Sequence, residues 1–567
     1  MPRLDLSRFV NLAGVAIIGI CFGVSLWRIS LIQELEQDED GITLRITHYQ
    51  LEAGVRQALQ EIADRFEQTY RDETGIDVRI LQNPISERVY RQYVQTQSIG
   101  GTSTDLVEMG SEDISTTARY YISNTEYVQL PNPYNRGTDL ESVPWMDTYL
   151  DGMLGSLDRS SLEYYGAASS GASVRMFYNR RLLRESLGLD EPPTDYREFL
   201  AACSRFSQWA RDNDRSDLVP IASSKYQMST FSSIKSSTLL DFILAHDRDY
   251  DGEFGLNDEL FLAYAGGEFD YHDPAIRADV MTLGELTRHF SPGFMAMGRM
   301  EAQFVFTQGR ALFSASGSWD ALSYENEVDF PLGIADFPRP DRDDPEFGPY
   351  VRGHASEAEV PSVLRLGISK ASRHPEVALR FLQFLTSREN NERFNWQAKW
   401  PPLIKGARPH PLMVPFVRRP GGFWTGDVFS ATGGAASAVH QQASWELLEH
   451  KIDYDGFVTQ IEAGMPRAMA QEFERMLQAE RETRLLQGMG LSHHLGTHTG
   501  ATEWSSSPTE LATNRSRTAA KLTHLWETRM TQFRNGHRIV EWRKLLQEKE
   551  PVALQIASFL TTAVTAE

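Results

Sequence analysis

The residues best suited to bind a small polar ligand follow a short apolar run in the segment 306–319, FTQGRALFSASGSW. The run predicts a buried strand that follows a helix carrying Phe304 and Phe306. Open α/β sheets bind ligands beyond the ends of their strands, where Ser318 and Trp319 lie. The flat indole face of Trp319 suits stacking on the apolar face of a sugar ring. Because tryptophan is highly buried on average, a core position for Trp319 is the alternative.

Residues 42–130 read as strand, helix, strand, helix, strand. Apolar residues alternate at 42–46, recur at helical spacing at 55–66, and form further candidate strands around 78–80 and 105–107. Alternating β and α units predict a mainly parallel sheet with helices on both faces. The loops 48–52 and 108–111, after the first and third strands, then project from the same edge of that sheet.

Candidate ligand-binding residues in these two loops are Glu52, Glu108, Gly110 and Ser111. The two carboxylates could accept hydrogen bonds from a polyol. The alternative is that either glutamate simply lies in a solvated loop or near the N-terminus of a helix, where negatively charged side chains are common.

Length and composition limit the possible classes of protein. A chain of 567 residues predicts two or three domains, and 41% hydrophobic with 23% charged residues is typical of globular proteins. The formal charge of 56 − 77 = −21 argues against a nucleic-acid partner, because a basic stripe is needed to neutralise phosphates. Cys21 lies in the apolar N-terminal run, so we expect no disulfide between Cys21 and Cys203.

The N-terminal segment predicts a membrane anchor. Residues 9–27 carry no charge, Arg3 and Arg8 precede them, and a mostly acidic stretch follows at 34–40. The uncharged run is long enough to cross a bilayer as one helix, and the flanking charges place the bulk of the chain outside the cytoplasm. A cleavable signal peptide is the alternative.

Several weak motifs occur in a characteristic order. They are Tyr178-Asn179 with Arg180, Pro192-Pro193-Thr194 before a helix that Thr194 would cap, Gly309-Arg310-Ala311 leading to Gly317-Ser318-Trp319, and Ile368-Ser369-Lys370 before another helix. In this order, over residues 42–470, the chain resembles the extracellular solute-binding protein family 1, the sugar-binding components of ABC importers.

This resemblance implies an α/β fold of the periplasmic-binding type, with two discontinuous lobes that hinge at crossover segments. We expect lobe one at 42–160 and 360–415, and lobe two at 161–359 and 416–470. A carbohydrate would bind between the lobes, against Trp319 and a second aromatic at Trp424, and would be delivered to the permease subunits of an ABC transporter. We expect a monomer.

Two segments depart from the family pattern. The long loop 336–360 lies where a return crossover is expected and could insert near the mouth of the cleft. Residues 471–567 predict a helical C-terminal extension. His493, His494 and His498 in that extension lack a nearby cysteine or carboxylate, so no metal site is predicted.

No catalytic motif is recognisable, and the sequence predicts a binding protein that needs no cofactor. Two alternatives stay open. The same fold could serve as a membrane-anchored sensor or scaffold, or the paired carboxylates Glu52 and Glu108 could act on a glycan as an enzyme.

Overall fold

The structure is a computed structural model that describes residues 41–52, 54–110, 117, 119–158, 163–247, 259–357, 362–419, 421–423, 434–475 and 539–560. Its strands are β1 Gly41–His48, β2 Asp77–Pro84, β3 Leu106–Glu108, β4 Leu157–Asp158, β5 Glu163–Tyr164, β6 Gly166–Gly171, β7 Val174–Asn179, β8 Val219–Ala222, β9 Ala311–Gly317, β10 Leu332–Ala335 and β11 Ser362–Ile368.

The helices before residue 270 are α1 Val55–Thr74, α2 Glu87–Gly100, α3 Thr125–Val128, α4 Arg180–Leu187, α5 Tyr196–Asp212, α6 Met228–Phe231, α7 Leu240–His246 and α8 Glu259–Ala265. Those after it are α9 Pro274–Leu286, α10 Arg299–Thr307, α11 Ala321–Glu327, α12 Pro375–Leu385, α13 Arg388–Ala398, α14 Gly434–Leu448, α15 454–475, α16 539–548 and α17 Pro551–Ala557.

The first sheet has the strand order β2-β1-β3-β11-β6. β1 is parallel to β2 and β3, whereas β11 is antiparallel to both β3 and β6. The predicted strands and the helix α1 are confirmed, and the buried apolar positions of α1 share one core cluster with the strands of this sheet and with α12. Phe66, for example, is fully buried and packs 5.3 Å from Phe381 and 5.4 Å from Phe384, between ring centroids. The expectation of a mainly parallel sheet holds only for β1, β2 and β3.

The second sheet has the strand order β10-β7-β9-β8. Only β8 and β9 are parallel, and β7 is antiparallel to β9 and β10. β9 is the strand predicted from the apolar run at 311–315, and every one of its residues is buried. A cluster around β9 that includes Phe199, Phe206 and Phe313 forms the core on one face.

The chain first passes from the first sheet to the second between β6 and β7, and this connection has only two residues, Ala172 and Ser173. β6 runs in the same direction as β1 and β3, so it ends at their carboxyl edge. Val174, at the start of β7, pairs with Gly317 at the end of β9, and β8 is parallel to β9. The carboxyl edges of the two sheets therefore face each other across this connection, which brings the predicted site loops of both lobes to one place.

Two local expectations need correction. Residues 166–171 were predicted in lobe two, but β6 pairs with β11 in the first sheet. Thr194 was the expected N-cap, but Asp195 caps α5, and its side chain accepts a hydrogen bond from the Glu198 N–H at 2.8 Å. Aspartate is at least as good a cap as threonine, so the sequence alone did not separate the two. The complete lobe boundaries stay a prediction.

A third core lies within the helical part of the molecule. Residues of α7, α8, α14, α15, α16 and α17 share one apolar cluster. Three aromatic rings lie at its centre: Phe261 stacks on Phe473 at 5.0 Å, and Trp542 lies 5.4 Å from Phe261 and 5.5 Å from Phe473. The described part of the predicted C-terminal extension is thus helical and is an integral part of this core.

The predicted anchor at 9–27 lies outside the described residues. Within the described ranges, no helix combines the length and apolarity needed to cross a membrane.

Trp542→Ala should lower the free energy of unfolding by about 3–5 kcal/mol, because it removes a buried aromatic side chain from a shared core. Val540→Ala on the same helix is the matched control, since Val540 is 60% exposed, and should change stability by less than about 0.5 kcal/mol. Urea unfolding of the full chain, followed by circular dichroism, measures both. Equal midpoints for the two variants would show that the C-terminal helices do not stabilise this core.

Candidate functional site

The loop after β1 is held in place by the buried carboxylate of Glu108. One carboxylate oxygen accepts a hydrogen bond from the Tyr49 N–H at 3.0 Å, and the other accepts one from the Leu364 N–H at 3.1 Å. The Gln50 amide also donates to this carboxylate. Glu108 therefore ties the loop to β3 and β11.

Glu108 is only 1% exposed, which differs from the prediction that it offers a surface acceptor to a ligand. The physical reason is that its side chain turns into the lobe, where three donors occupy it. Burial raises the pKa of Glu108 to about 7, although the hydrogen bonds from Gln50, Tyr49 and Leu364 act in the opposite direction. In this conformation Glu108 positions the loop, and a direct contact with ligand stays a prediction.

Glu52 lies where the loops of the two lobes approach each other. It keeps access to solvent, yet the surrounding protein removes enough water to raise its pKa, and repulsion by Glu87 and Asp320 adds to this. Asp320 belongs to lobe two and follows Trp319 directly. The structure thus brings the predicted residues Glu52 and Trp319 to the same interlobe region.

Trp319 is partly exposed, and its ring folds back over Gly317. A Cβ atom at position 317 would lie 2.2 Å from the ring. Gly317 has extended backbone angles that any residue adopts, so the requirement for glycine is one of space. Because Gly317 has no side chain, the Trp319 ring has room at the end of β9. The ring does not belong to the buried core.

Polar groups fix the turn that carries Trp319. The Ser318 N–H donates to the Ser173 carbonyl at 3.0 Å, and Ser318 is 3% exposed. The carboxylate of Asp320 accepts a hydrogen bond from the Ser316 hydroxyl and forms an ion pair with Arg299 at 2.6 Å. Ser318 thus contributes to the connection between the lobes, and little of its surface is open to a ligand.

Of the three other predicted site residues, the structure describes only Gly110. Gly110 is half-buried, and its carbonyl accepts a hydrogen bond from the Arg365 guanidinium. Ser111 and Trp424 lie outside the described residues. Trp400 is 3% exposed and belongs to the core of the first sheet.

Sequence reasoning missed two residues beside the site. Tyr49 is a half-buried aromatic on the lobe-one loop, and its ring meets that of Tyr90 edge to face at 4.9 Å. Asp320 could have been suspected from the four-residue spacing between Ser316 and Asp320 on a tight turn. Tyr49 gave no comparable signal, since it lies in a short polar loop.

Sequence reasoning also missed a buried charge network at the interlobe connections. Arg175, at the start of β7, is 1% exposed and contacts both carboxylate oxygens of Glu357, at 2.7 and 3.2 Å. It also lies 3.0 Å from Asp336. The Arg419 N–H donates to Glu357 at 3.0 Å, and the Arg419 side chain pairs with Asp336. These contacts join three chain segments that are far apart in sequence.

A second buried ion pair extends this network into lobe one. Arg418 lies 3.1 Å from Asp151, and the two side chains are 1% and 2% exposed. Ser173 adds a neutral link, because its hydroxyl donates to the Phe416 carbonyl at 2.8 Å. Paired and hydrogen-bonded charges of this kind fix the geometry of the connections, since an unpaired buried charge is costly.

A cavity of about 690 Å³ lies elsewhere, on the helical side of lobe two. It lies between α9 and the turn from α14 to α15, and Arg277, Arg288 and Tyr454 are among its lining residues. None of the predicted ligand-binding residues that the structure describes lines it. The candidate site therefore rests on the facing sheet edges and not on this cavity.

This arrangement of two α/β lobes with facing carboxyl edges can be compared with known proteins. A family model described as bacterial extracellular solute-binding protein matches residues 61–414. The chain belongs to this family. Membership confirms the resemblance found in the sequence and places this solute-binding protein outside the cytoplasm. No curated protein matches the chain.

Solved structures similar to this solute-binding protein include three sugar-binding proteins. The maltose-bound MalE3 of T. maritima has 17% identity and a TM-score of 0.48, over 74% of this chain and 98% of that one. A chitin oligosaccharide binding protein has 14% identity and a TM-score of 0.48, over 76% and 100%. The apo form of RafE from Streptococcus pneumoniae has 14% identity and a TM-score of 0.47, over 75% and 97%.

Glu357→Gln should lower the free energy of unfolding by about 1.5–3 kcal/mol, because the buried Arg175 loses one of its two carboxylate partners and keeps only Asp336, at 3.0 Å. Glu346→Gln is the control: Glu346 is 3.6 Å from Arg197 at a half-exposed position, where an ion pair contributes less than about 1 kcal/mol. Urea unfolding compares the two variants. A similar small effect for both would contradict a structural role for the network.

Glu108 should make stability depend on pH. Its pKa is raised in the folded state, so the folded chain keeps a proton that the unfolded chain releases. Its stabilising contribution is complete at about pH 4 and is lost as the pH rises through about 7, by roughly 3 kcal/mol. Glu108→Gln should therefore be most destabilising, relative to the parent protein, at low pH. Urea unfolding between pH 4.5 and 8 measures this difference, and a difference that is constant with pH would contradict it.

Proposed function

We propose that this protein captures a carbohydrate between its two lobes outside the cytoplasm and delivers it to the permease subunits of an ABC-type transporter. The observation that carries the proposal is the placement of Trp319. Its ring is partly exposed at the carboxyl edge of the second sheet, and the loop of Glu52 faces it from the first sheet.

The chemistry of the two faces suits a polyol with an apolar side. An indole face stacks on the apolar face of a sugar ring. Carboxylates such as Glu52 and Asp320 accept hydrogen bonds from hydroxyl groups. The residues of the motif Gly317-Ser318-Trp319 also follow the pattern by which the sequence resembles sugar-binding members of the family.

The connections between the lobes suit a closing motion. Two residues join β6 to β7, and the remaining connections are held by the charges around Arg175 and Glu357. A hinge of a few residues absorbs such motion while each lobe keeps its own core. Binding in the interlobe space would then shift the balance toward the closed form.

The alternatives differ from transport in what happens after binding. A membrane-anchored sensor or scaffold would bind the same ligand, and a partner other than a permease would read the closed state. A glycan-acting enzyme would use Glu52 and Glu108 together, but the burial of Glu108 leaves no open surface for proton transfer in this conformation. Binding without turnover of a glycan supports the proposal over the enzyme.

Trp319→Ala should weaken carbohydrate binding by about 5- to 150-fold, since aromatic stacking contributes on the order of 1–3 kcal/mol. A thermal-shift screen against a sugar panel first identifies the ligand, and calorimetry then compares affinities. Trp396→Ala is the control, because Trp396 is 47% exposed on α13 of lobe one. Unchanged affinity in Trp319→Ala, with a large loss of stability, would make Trp319 a structural residue and remove the main support for the site.

We also propose that residues 9–27 anchor the protein in the membrane, with the bulk of the chain outside the cytoplasm. The uncharged run and its flanking charges support this. Alkaline extraction of membranes should leave the full-length chain in the pellet. Release of the protein, or a mature N-terminus near residue 30, would favour a cleaved signal peptide instead.

A further inference from the structure

We propose that the cavity on the helical side of lobe two binds a small organic anion, with a phosphate or carboxylate group on an apolar body. The cavity has a volume of about 690 Å³, which lies within the range of roughly 300–1,000 Å³ typical of small-molecule sites. It lies between α9 and the turn that joins α14 to α15, away from the loops that carry Glu52 and Trp319. The proposal is therefore a second site, separate from the carbohydrate site.

One wall of the cavity is a single stripe of α9 and of the turn that follows it. Arg277, Met281, Gly284 and Arg288 recur at intervals of four, three and four residues, so they share one face. The two arginines stand at opposite ends of this stripe, separated by roughly 17 Å along the axis. Met281 and Gly284 lie between them, and Ile452 also lines the cavity. An apolar middle with charged ends suits a ligand that is only partly polar.

The lining of the cavity carries more positive than negative charge. Its charged residues are Arg277, Arg288, Lys451, Asp453 and Asp455. Asp453 is already engaged, because its carboxylate accepts a hydrogen bond from the Gly456 N–H at 2.9 Å at the start of α15. A positive excess is notable in a chain whose formal charge is −21. The electrostatic field at this place favours an anion.

Arg288 is the cation that a ligand can engage. Arg277 lies over the ring of Tyr454 at 5.0 Å, and Lys451 pairs with Glu449 at 2.6 Å. Arg288 is exposed and forms no ion pair with any other residue that the structure describes. A guanidinium without a carboxylate partner can donate two parallel hydrogen bonds to a phosphate or a carboxylate.

His450, beside Arg288, has a backbone conformation that glycine normally adopts. Its φ is +58°. The Lys451 N–H donates to the Glu446 carbonyl, and the His450 N–H donates to the Leu447 carbonyl, each at 2.9 Å. These two bonds form the motif that ends a helix with a left-handed residue, usually glycine, at position 450. Because a side chain is strained there, folding alone favours glycine, and the imidazole needs a different reason.

The imidazole of His450 supplies a second donor for the anion. Burial, followed by the positive charge of Arg288, lowers the pKa of His450, so the ring is neutral at pH 7. Its Nε2 lies 3.2 Å from the Thr287 hydroxyl. When that hydroxyl donates to Nε2, the Nδ1–H is left to donate to a ligand in the cavity. Arg288 and His450 thus bind the anionic group, and the apolar stripe contacts the rest of the molecule.

The test is calorimetric titration of the purified full chain with phenyl phosphate at constant ionic strength. We expect one saturable site per chain. Inorganic phosphate should bind more weakly and phenol should not bind, since each lacks one half of the ligand. Sodium benzoate is the parallel probe, and the tighter of the two aromatic anions shows whether the site prefers a phosphate or a carboxylate.

Arg288→Gln should weaken binding of phenyl phosphate by at least about 10-fold, because the hydrogen bonds to a charged group are lost. Arg205→Gln is the matched control: Arg205 is an exposed arginine on α5 of the same lobe, and this variant should bind as the parent does. His450→Gly separates binding from folding. It should bind more weakly, yet melt at or above the temperature of the parent, because glycine adopts a φ of +58° without strain.

Three outcomes would overturn the proposal. They are the absence of saturable heat up to about 10 mM phenyl phosphate, equal affinities in Arg288→Gln and Arg205→Gln, or unchanged affinity in His450→Gly together with a lower melting temperature. The second outcome would indicate binding to surface charge in general, and the third would make His450 a structural residue. The measurement does not depend on the carbohydrate site, since Trp319→Ala should titrate with phenyl phosphate as the parent does.

Discussion

The rest of the structure depends on the two-residue passage from β6 to β7. Ala172 and Ser173 join the end of β6 directly to Val174, which pairs with Gly317 at the end of β9, so the carboxyl edges of the two sheets face each other. The loops after β1 and β3 on one side, and after β8 and β9 on the other, meet there for this reason. A longer connection would allow the lobes other orientations, and the same side chains would then form no common site.

The loop 336–357 shows how charge supports that geometry. Three of its carboxylates pair with arginines: Asp336 and Glu357 with Arg175, and Asp344 with Arg197 at 2.8 Å. The sequence suggests that this loop could insert near the mouth of the cleft, and that stays a prediction. Its described part is held to lobe two and to the connections by these ion pairs, because its acidic residues reach arginines that are buried or partly buried.

Sequence reasoning predicted those features that depend on local patterns. The periodicity of β1, α1 and β9 is imposed by burial, and the order of the motifs identified the family. It could not place Glu108, because whether a carboxylate turns inward depends on donors that come from Tyr49 and from Leu364, 256 residues away from Glu108. The contact between Arg175 and Glu357, which are 182 residues apart, could not be predicted from the sequence for the same reason.

The three cores limit where the molecule can deform. The first sheet, the second sheet and the helical cluster that includes Trp542 each bury their own apolar residues. Well-packed cores resist continuous deformation, because small shifts forfeit many contacts at once. A relative motion of the lobes must therefore be absorbed at the connections, where Ser173, Arg175 and Arg418 hold neighbouring segments by hydrogen bonds and ion pairs. Polar contacts can exchange partners during such a motion, whereas an apolar interface at the same place would have to be exposed to water.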